Sequence, residues 1–273
     1  MSTAAGRVRI EHGQKWLRAT AAGHSLVDTR RSLLVWEQPH YPTYYVPVGD
    51  VAAELRPNGE VDHSPSRGDA EVVDLVLAEG QVLSGAGAWY REPRLPALEG
   101  HLRIAWDAAD AWYEEDEQVF VHARDPYVRI DALQSSRHVV VERDGVLLAD
   151  SVRPVLLFET GLIPRIYLPQ PDVALGHLEA SDTVTRCPYK GTASYLHLRA
   201  GDVQVDDVAW TYPYPTRESL PIAGLVAFHD EQVDVIIDGV RGERPRRPFR
   251  SAEVSEASRG PTALGGGGDL TTG

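Results

Sequence analysis

Residues 16–55 of this chain are written again at 138–177 in the same register. Gly23 matches Gly145, Asp28 matches Asp150, Arg31 matches Arg153, Glu37 matches Glu159, Tyr45 matches Tyr167, Pro47 matches Pro169 and Asp50 matches Asp172, each pair 122 residues apart. Side-chain periodicity within one copy could arise by chance, but a constant offset across so many residue types means one fold encoded twice. Further on the register slips by one, and Ser64-Pro65-Ser66-Arg67-Gly68 faces Cys187-Pro188-Tyr189-Lys190-Gly191. The only cysteine of the chain therefore lies in the second copy, opposite a serine in the first.

A duplication of this size predicts two domains, placed at residues 7–120 and 121–240, each long enough to bury its own core. It is too long and too few in number for a solenoid. The formal net charge of −13 argues against a nucleic-acid-binding face and favours a small-molecule partner. The first residues have no apolar leader, and no stretch approaches a membrane span, so no membrane association is expected. A single cysteine makes no intrachain disulfide, which fits a reducing cytoplasm. Residues 241–273, rich in Arg, Pro and Ser and carrying Gly265 to Gly268, read as a disordered tail. Oligomeric state is left open.

Both copies read mainly as short strands. Arg143-Asp144-Gly145 joins two apolar runs as a type I′ hairpin turn, which needs positive φ at both central residues. Alternation from Ser194 to Arg199 puts Tyr195 and His197 on one face and Leu196 and Leu198 on the other. Ser84-Gly85-Ala86-Gly87 reads as a hairpin turn, and residues 117–135 as the join between copies. Each copy reaches a Trp (Trp89, Trp210) and then one short helix, expected over 96–112 in the first copy and 220–230 in the second.

The second copy's Phe158-Glu159-Thr160-Gly161, Tyr167-Leu168-Pro169, Thr185 to Gly191 and Ala209-Trp210-Thr211-Tyr212-Pro213 resemble the bacterial family called domain of unknown function 427. The first copy matches at Trp36-Glu37, at Tyr44 to Pro47 and at Asp110 to Asp116. The resemblance implies a small, mainly β domain of the β-tent type, similar to Mss4-like proteins, with a nucleotidyltransferase-like label. Zinc knuckles of β-tent relatives use paired cysteines, and a single cysteine rules that arrangement out.

The candidate site centres on Cys187. Pro188 favours an extended backbone before it and Gly191 allows a sharp turn after it. Arg186 and Lys190 flank it, and nearby positive charge favours the reactive thiolate. In this reading Cys187 attacks an electrophile, Lys190 and Arg186 stabilise negative charge, and Glu159 or a histidine (His177, His197) moves the proton. The alternative is a small apolar residue packing a loop. Glu37 and Glu159 serve either acid–base chemistry or ion pairs with Arg31 and Arg153. Tyr167, Tyr189, Tyr195, Trp210 and Tyr212 line either a ligand groove or the core. The run Asp107, Asp110, Glu114 to Glu117 reads as a solvated face around a helix end, with no metal implied, and nothing specifies a cofactor. Loss of the thiol in the first copy makes the second the working half, with the first kept for packing.

Overall fold

The computed structural model describes residues 8–38 and 41–245. The chain divides into two compact units, one ending at Ala123 and the next beginning at Arg124. Among the described residues 22 strands, numbered here in chain order, form four sheets.

In the first unit a seven-stranded antiparallel sheet runs, edge to edge, β1 (Arg9–His12), β4 (Leu33–Trp36), β5 (Thr43–Pro47), β9 (His101–Ile104), β8 (Val82–Tyr90), β7 (Gly68–Val76) and β6 (Glu54–Ser64). A four-stranded sheet runs β11 (Glu117–Val119), β10 (Ala111–Glu114), β2 (Leu17–Ala21) and β3 (His24–Thr29). The second unit repeats both orders. Its large sheet is β12 (Ile130–Gln134), β15 (Val155–Glu159), β16 (Arg165–Leu168), β20 (Val226–Phe228), β19 (Val203–Thr211), β18 (Gly191–Ala200) and β17 (Leu178–Cys187). Its small sheet is β22 (Val240–Arg241), β21 (Asp234–Ile237), β13 (Val139–Arg143) and β14 (Val146–Ser151). The duplication in sequence is thus a duplication of topology.

Local chemistry explains the turns. Asp144 and Gly145 sit at φ 48° and 82°, and Ala22 and Gly23 at 50° and 78°, so both β2–β3 and β13–β14 carry the primed turn that matches strand twist. Strand alternation then sorts side chains onto two cores. Leu17, Leu26, Tyr44, Val46, Leu75, Leu102 and Trp112 fill the space between the two sheets of the first unit. Leu33, Val35, Tyr45, Ala70, Tyr90 and Leu98 form a second cluster on the opposite face of the large sheet. Adjacent Tyr44 and Tyr45 go to different cores because successive strand residues point to opposite faces. The second unit divides likewise, with Val139, Leu148, Leu168, Leu198 and Phe228 in one cluster and Val155, Leu157, Tyr167, Trp210 and Tyr212 in the other.

Several expectations are corrected. No long helix spans 96–112: a 3-10 turn at Pro96–Leu98 leads into β9, a second at Trp106–Ala108, then β10. Gly100 at φ 71° breaks any helix there, and the helical spacing of Leu98, Leu102 and Trp106 is coincidental. In the second unit the helical part is a 3-10 segment at Arg217–Ile222, followed by β20. Ser84 to Gly87 lie inside β8, and residues 117–135 include β11 and β12 rather than a plain join. Arg241 belongs to β22 and pairs with Glu142 and Asp234, so the ordered chain reaches past 240; the rest of the expected tail, from 246, lies outside the described residues. Among the described residues no helix is long and apolar enough to cross a membrane.

Candidate functional site

The Cys187 loop is a tight hairpin end. Cys187 closes β17 opposite Gly191, the first residue of β18, and Ser64 closes β6 opposite Gly68 in the same way. Gly191 has φ 96°, and a Cβ there would lie 3.3 Å from the Tyr214 carbonyl and 3.4 Å from the Thr216 amide. The segment after β19 lies against this turn. Thr216 N donates to the Lys190 carbonyl at 3.2 Å, and the Thr216 and Ser219 hydroxyls donate to the Tyr189 carbonyl.

One face of the large sheet collects the predicted aromatic residues. Tyr195 faces Trp210, Trp210 faces Ala227, Ala227 faces Tyr167 and Tyr167 faces Val155 across successive strands. Trp210 Nε1 donates to Tyr167 Oη at 3.2 Å, with the rings edge to face. Tyr167, Trp210 and Tyr212 are buried, while Tyr195 is half-buried with its hydroxyl 3.0 Å from that of Thr185. These rings form a packed floor rather than an open wall. Thr185 and Cys187 share this face by alternation, since they sit opposite Ala193 and Gly191.

Lys190 reaches from the turn to the end of β15, where its ammonium bonds the Glu159 carboxylate, and both side chains are nearly buried. Burial pulls the Lys190 pKa down, but negative charge at Cys187 and Glu159 outweighs it and leaves the pKa raised. Burial pushes Tyr167 up to about 12 and raises Tyr189 and Tyr212 too, with charge at Cys187 adding to each. Cys187, Lys190, Glu159, Tyr167 and Tyr212 therefore form one electrostatic cluster.

Other predicted residues lie elsewhere. Arg186, opposite Thr192, is exposed on the other face of β17. Tyr189 Oη accepts the Asp125 amide at 2.7 Å, which makes it an anchor for the turn. His197 accepts the Asp207 amide at Nδ1, 3.0 Å, at the β18–β19 bulge, and exposed His177 precedes β17 at the far end from Cys187. Neither supplies a base to Cys187. The ion pairs expected for Glu37 and Glu159 are also different. Arg31 pairs with Asp50 at 2.6 Å and Arg153 with Asp172 at 2.8 Å, each aspartate also accepting the Thr29 or Ser151 hydroxyl.

Four residues at this face were not singled out from sequence. His229 lies 4.5 Å from the Trp210 ring and stacks with Tyr195 at 6.2 Å. Arg165 bonds Glu231 at 2.9 and 3.3 Å and stands 5.6 Å over Trp210. Burial raises the Asp230 pKa. For Glu231 burial acts the same way, but the Arg165 bonds outweigh it and the pKa is lowered. The legible signal was an arginine two residues before Tyr167, hence on the same strand face.

The first unit replaces this cluster rather than emptying it. Glu37 accepts the Tyr45 hydroxyl and lies 3.4 Å from Arg67, whose Nε donates to Tyr90 Oη at 3.1 Å. Strand register places Ala88 and Arg103 where the second unit has Trp210 and Ala227. A bulky group is thus moved one strand over. Trp89 corresponds to Thr211, not to Trp210, and packs on the other core. Glu114, expected on a solvated helix end, is instead a buried strand residue that accepts Tyr44 Oη at 2.6 Å and Lys15 Nζ at 2.5 Å. Among the described residues no group of three His, Cys, Asp or Glu side chains is placed to hold a metal ion.

Fold and register together define a tandem, mainly β protein with one domain plan used twice and two different buried clusters on it. The family model described as a domain of unknown function, DUF427, matches residues 9–115 and 131–239, and the chain belongs to that family. No curated protein matched the chain.

Proposed function

We propose that the second domain carries the working site, centred on Cys187, which acts on a small molecule by group transfer or thiol chemistry. The observation that carries this reading is the thiol sharing a sheet face with the buried Lys190–Glu159 pair, where the first domain has Ser64 beside Arg67–Glu37. The Cys187 sulfur, its proton lost to solvent, bonds to an electrophilic centre as the leaving group departs with its electron pair, and Lys190, fixed by Glu159, stabilises the negative charge at the sulfur and on the departing group. Tyr167 and Tyr212, kept protonated by burial, are available as hydrogen-bond donors. Arg186 has no part in this version because it faces away.

The β-tent class and a cytoplasmic location belong to this reading as well, whereas the nucleotidyltransferase-like label does not. Paired sheets of seven and four strands support the first, and the single cysteine supports the second. No glycine-rich phosphate loop or paired aspartates in the sequence support the label, so thiol chemistry is preferred to nucleotide transfer. A non-catalytic module using the Tyr195–Trp210–His229 face is the second reading, favoured by the stacking of those rings. A screen of electrophilic small molecules against wild type and Cys187→Ser separates them. Turnover that disappears in Cys187→Ser supports the enzyme; ligand binding unchanged in that variant, with no turnover in either, supports the module.

A further inference from the structure

The first domain contains a cavity of about 60 Å³ that has no use in the reading above. Its walls include Glu37, Thr43, Tyr44, Arg103, Trp106 and Trp112. Water needs only about 10–15 Å³ of such space, so this cavity has room for several waters or for a group of several non-hydrogen atoms. Comparison of the two domains shows why the space exists. Ala105 N donates to the Ala86 carbonyl as His229 N donates to that of Val208, so Ala105 and His229 are equivalent. Thr43 likewise occupies the place of Arg165, 122 residues on. The second domain fills with His229 and Arg165 what the first leaves open beside Thr43 and Ala105.

The walls define what fits. Trp106 and Trp112 stack at 5.3 Å, and Tyr44 stands 6.2 and 5.7 Å from them, giving flat apolar surfaces for a planar group. The charges nearby are already matched. Glu37 has Arg67, Arg103 has Asp62 at 2.6 Å, and Glu114 has Lys15. A charged ligand would enter a low-dielectric site with no spare counter-charge, which is costly. Two polar groups are unspent: Arg103 Nε and Tyr41 Oη, both on residues that line the cavity, are buried without a hydrogen-bond partner; a guanidinium N–H only donates, whereas a phenol donates or accepts. A buried donor without an acceptor carries the full desolvation penalty.

We propose that this cavity is a binding site for the carboxamide end of a small, planar, uncharged molecule, its carbonyl accepting from Arg103 and its plane against the tryptophans. The site is independent of Cys187, and the first domain would thus bind a ligand rather than serve only as packing.

The test uses the full chain and three probes of one shape: benzamide, benzoate and benzamidinium. The readout is the indole N–H resonances of Trp106 and Trp112, assigned by substitution of each. Benzamide is expected to shift both saturably, with the charged probes about tenfold weaker or more. Ala105→His and Thr43→Arg, each installing the second domain's own residue, should abolish the shift while the melting temperature shows a folded protein. Either folded variant suffices. The proposal is overturned if benzamide produces no saturable shift, which would leave the cavity to water. It is equally overturned if the charged probes bind as well as benzamide, or if both folded filling variants still bind it.

Discussion

Glu159 holds the Lys190 ammonium in the second domain at the position where Glu37 faces Arg67 in the first. The carboxylate is constant and the cation differs, although both pairs are largely removed from water. A buried pair is costly to break from one side, because the partner is left charged and unmatched. Lys190→Met should therefore destabilise the second domain by about 3 kcal/mol. Lys190→Arg, the first domain's solution, should cost less than about 1.5 kcal/mol. Urea unfolding followed by tryptophan fluorescence measures both.

Gly191→Ala should be poorly tolerated. The φ of 96° is costly for any residue with a Cβ, and the new methyl would press on the Tyr214 and Thr216 backbone. A loss of about 1–3 kcal/mol is expected. Gly23→Ala, at φ 78° with open space around it, isolates the backbone contribution and should cost less. Thermal melts of the two variants side by side decide it.

Alkaline pH should weaken the fold through its buried phenols. Tyr167 has a pKa near 12 when folded against an ordinary 10.0, so the folded state holds its proton more tightly. The resulting stability is fully present below pH 10, then is lost as pH rises through 12. Tyr167→Phe should make the fall in stability between these values shallower, whatever it costs at neutral pH by stripping Trp210 of its acceptor. Denaturant midpoints measured across this range give the slope.

Much of this was legible in the sequence because duplication is a long-range signal. The constant offset located the domains' shared plan, and Asp144-Gly145 specified its turn because few residues accept two consecutive positive φ values. The helices at 96–112 and 220–230 were misread because 3-10 turns and short strands can mimic helical spacing over two turns. The register also hid a lateral exchange. Ala88 with Arg103 replaces Trp210 with Ala227, and a trade between neighbouring strands is invisible to residue-by-residue matching. Arg31 and Arg153 were assigned to the wrong acids for a related reason, since Asp50 and Asp172 repeat in register as faithfully as Glu37 and Glu159. His229 and Arg165 were missed because their neighbours Tyr195 and Trp210 lie on other strands.

The proposed site requires Cys187 to be a working thiol, and alkylation of Cys187 by iodoacetamide at neutral pH tests that most directly. Rates would be compared for the folded chain, the urea-unfolded chain and folded Lys190→Met. Folded Cys187 is expected to react at least as fast as the unfolded thiol, and loss of the Lys190 ammonium is expected to slow it. A thiol protected until the chain unfolds, or one indifferent to Lys190, would contradict the proposed site and leave Cys187 as packing.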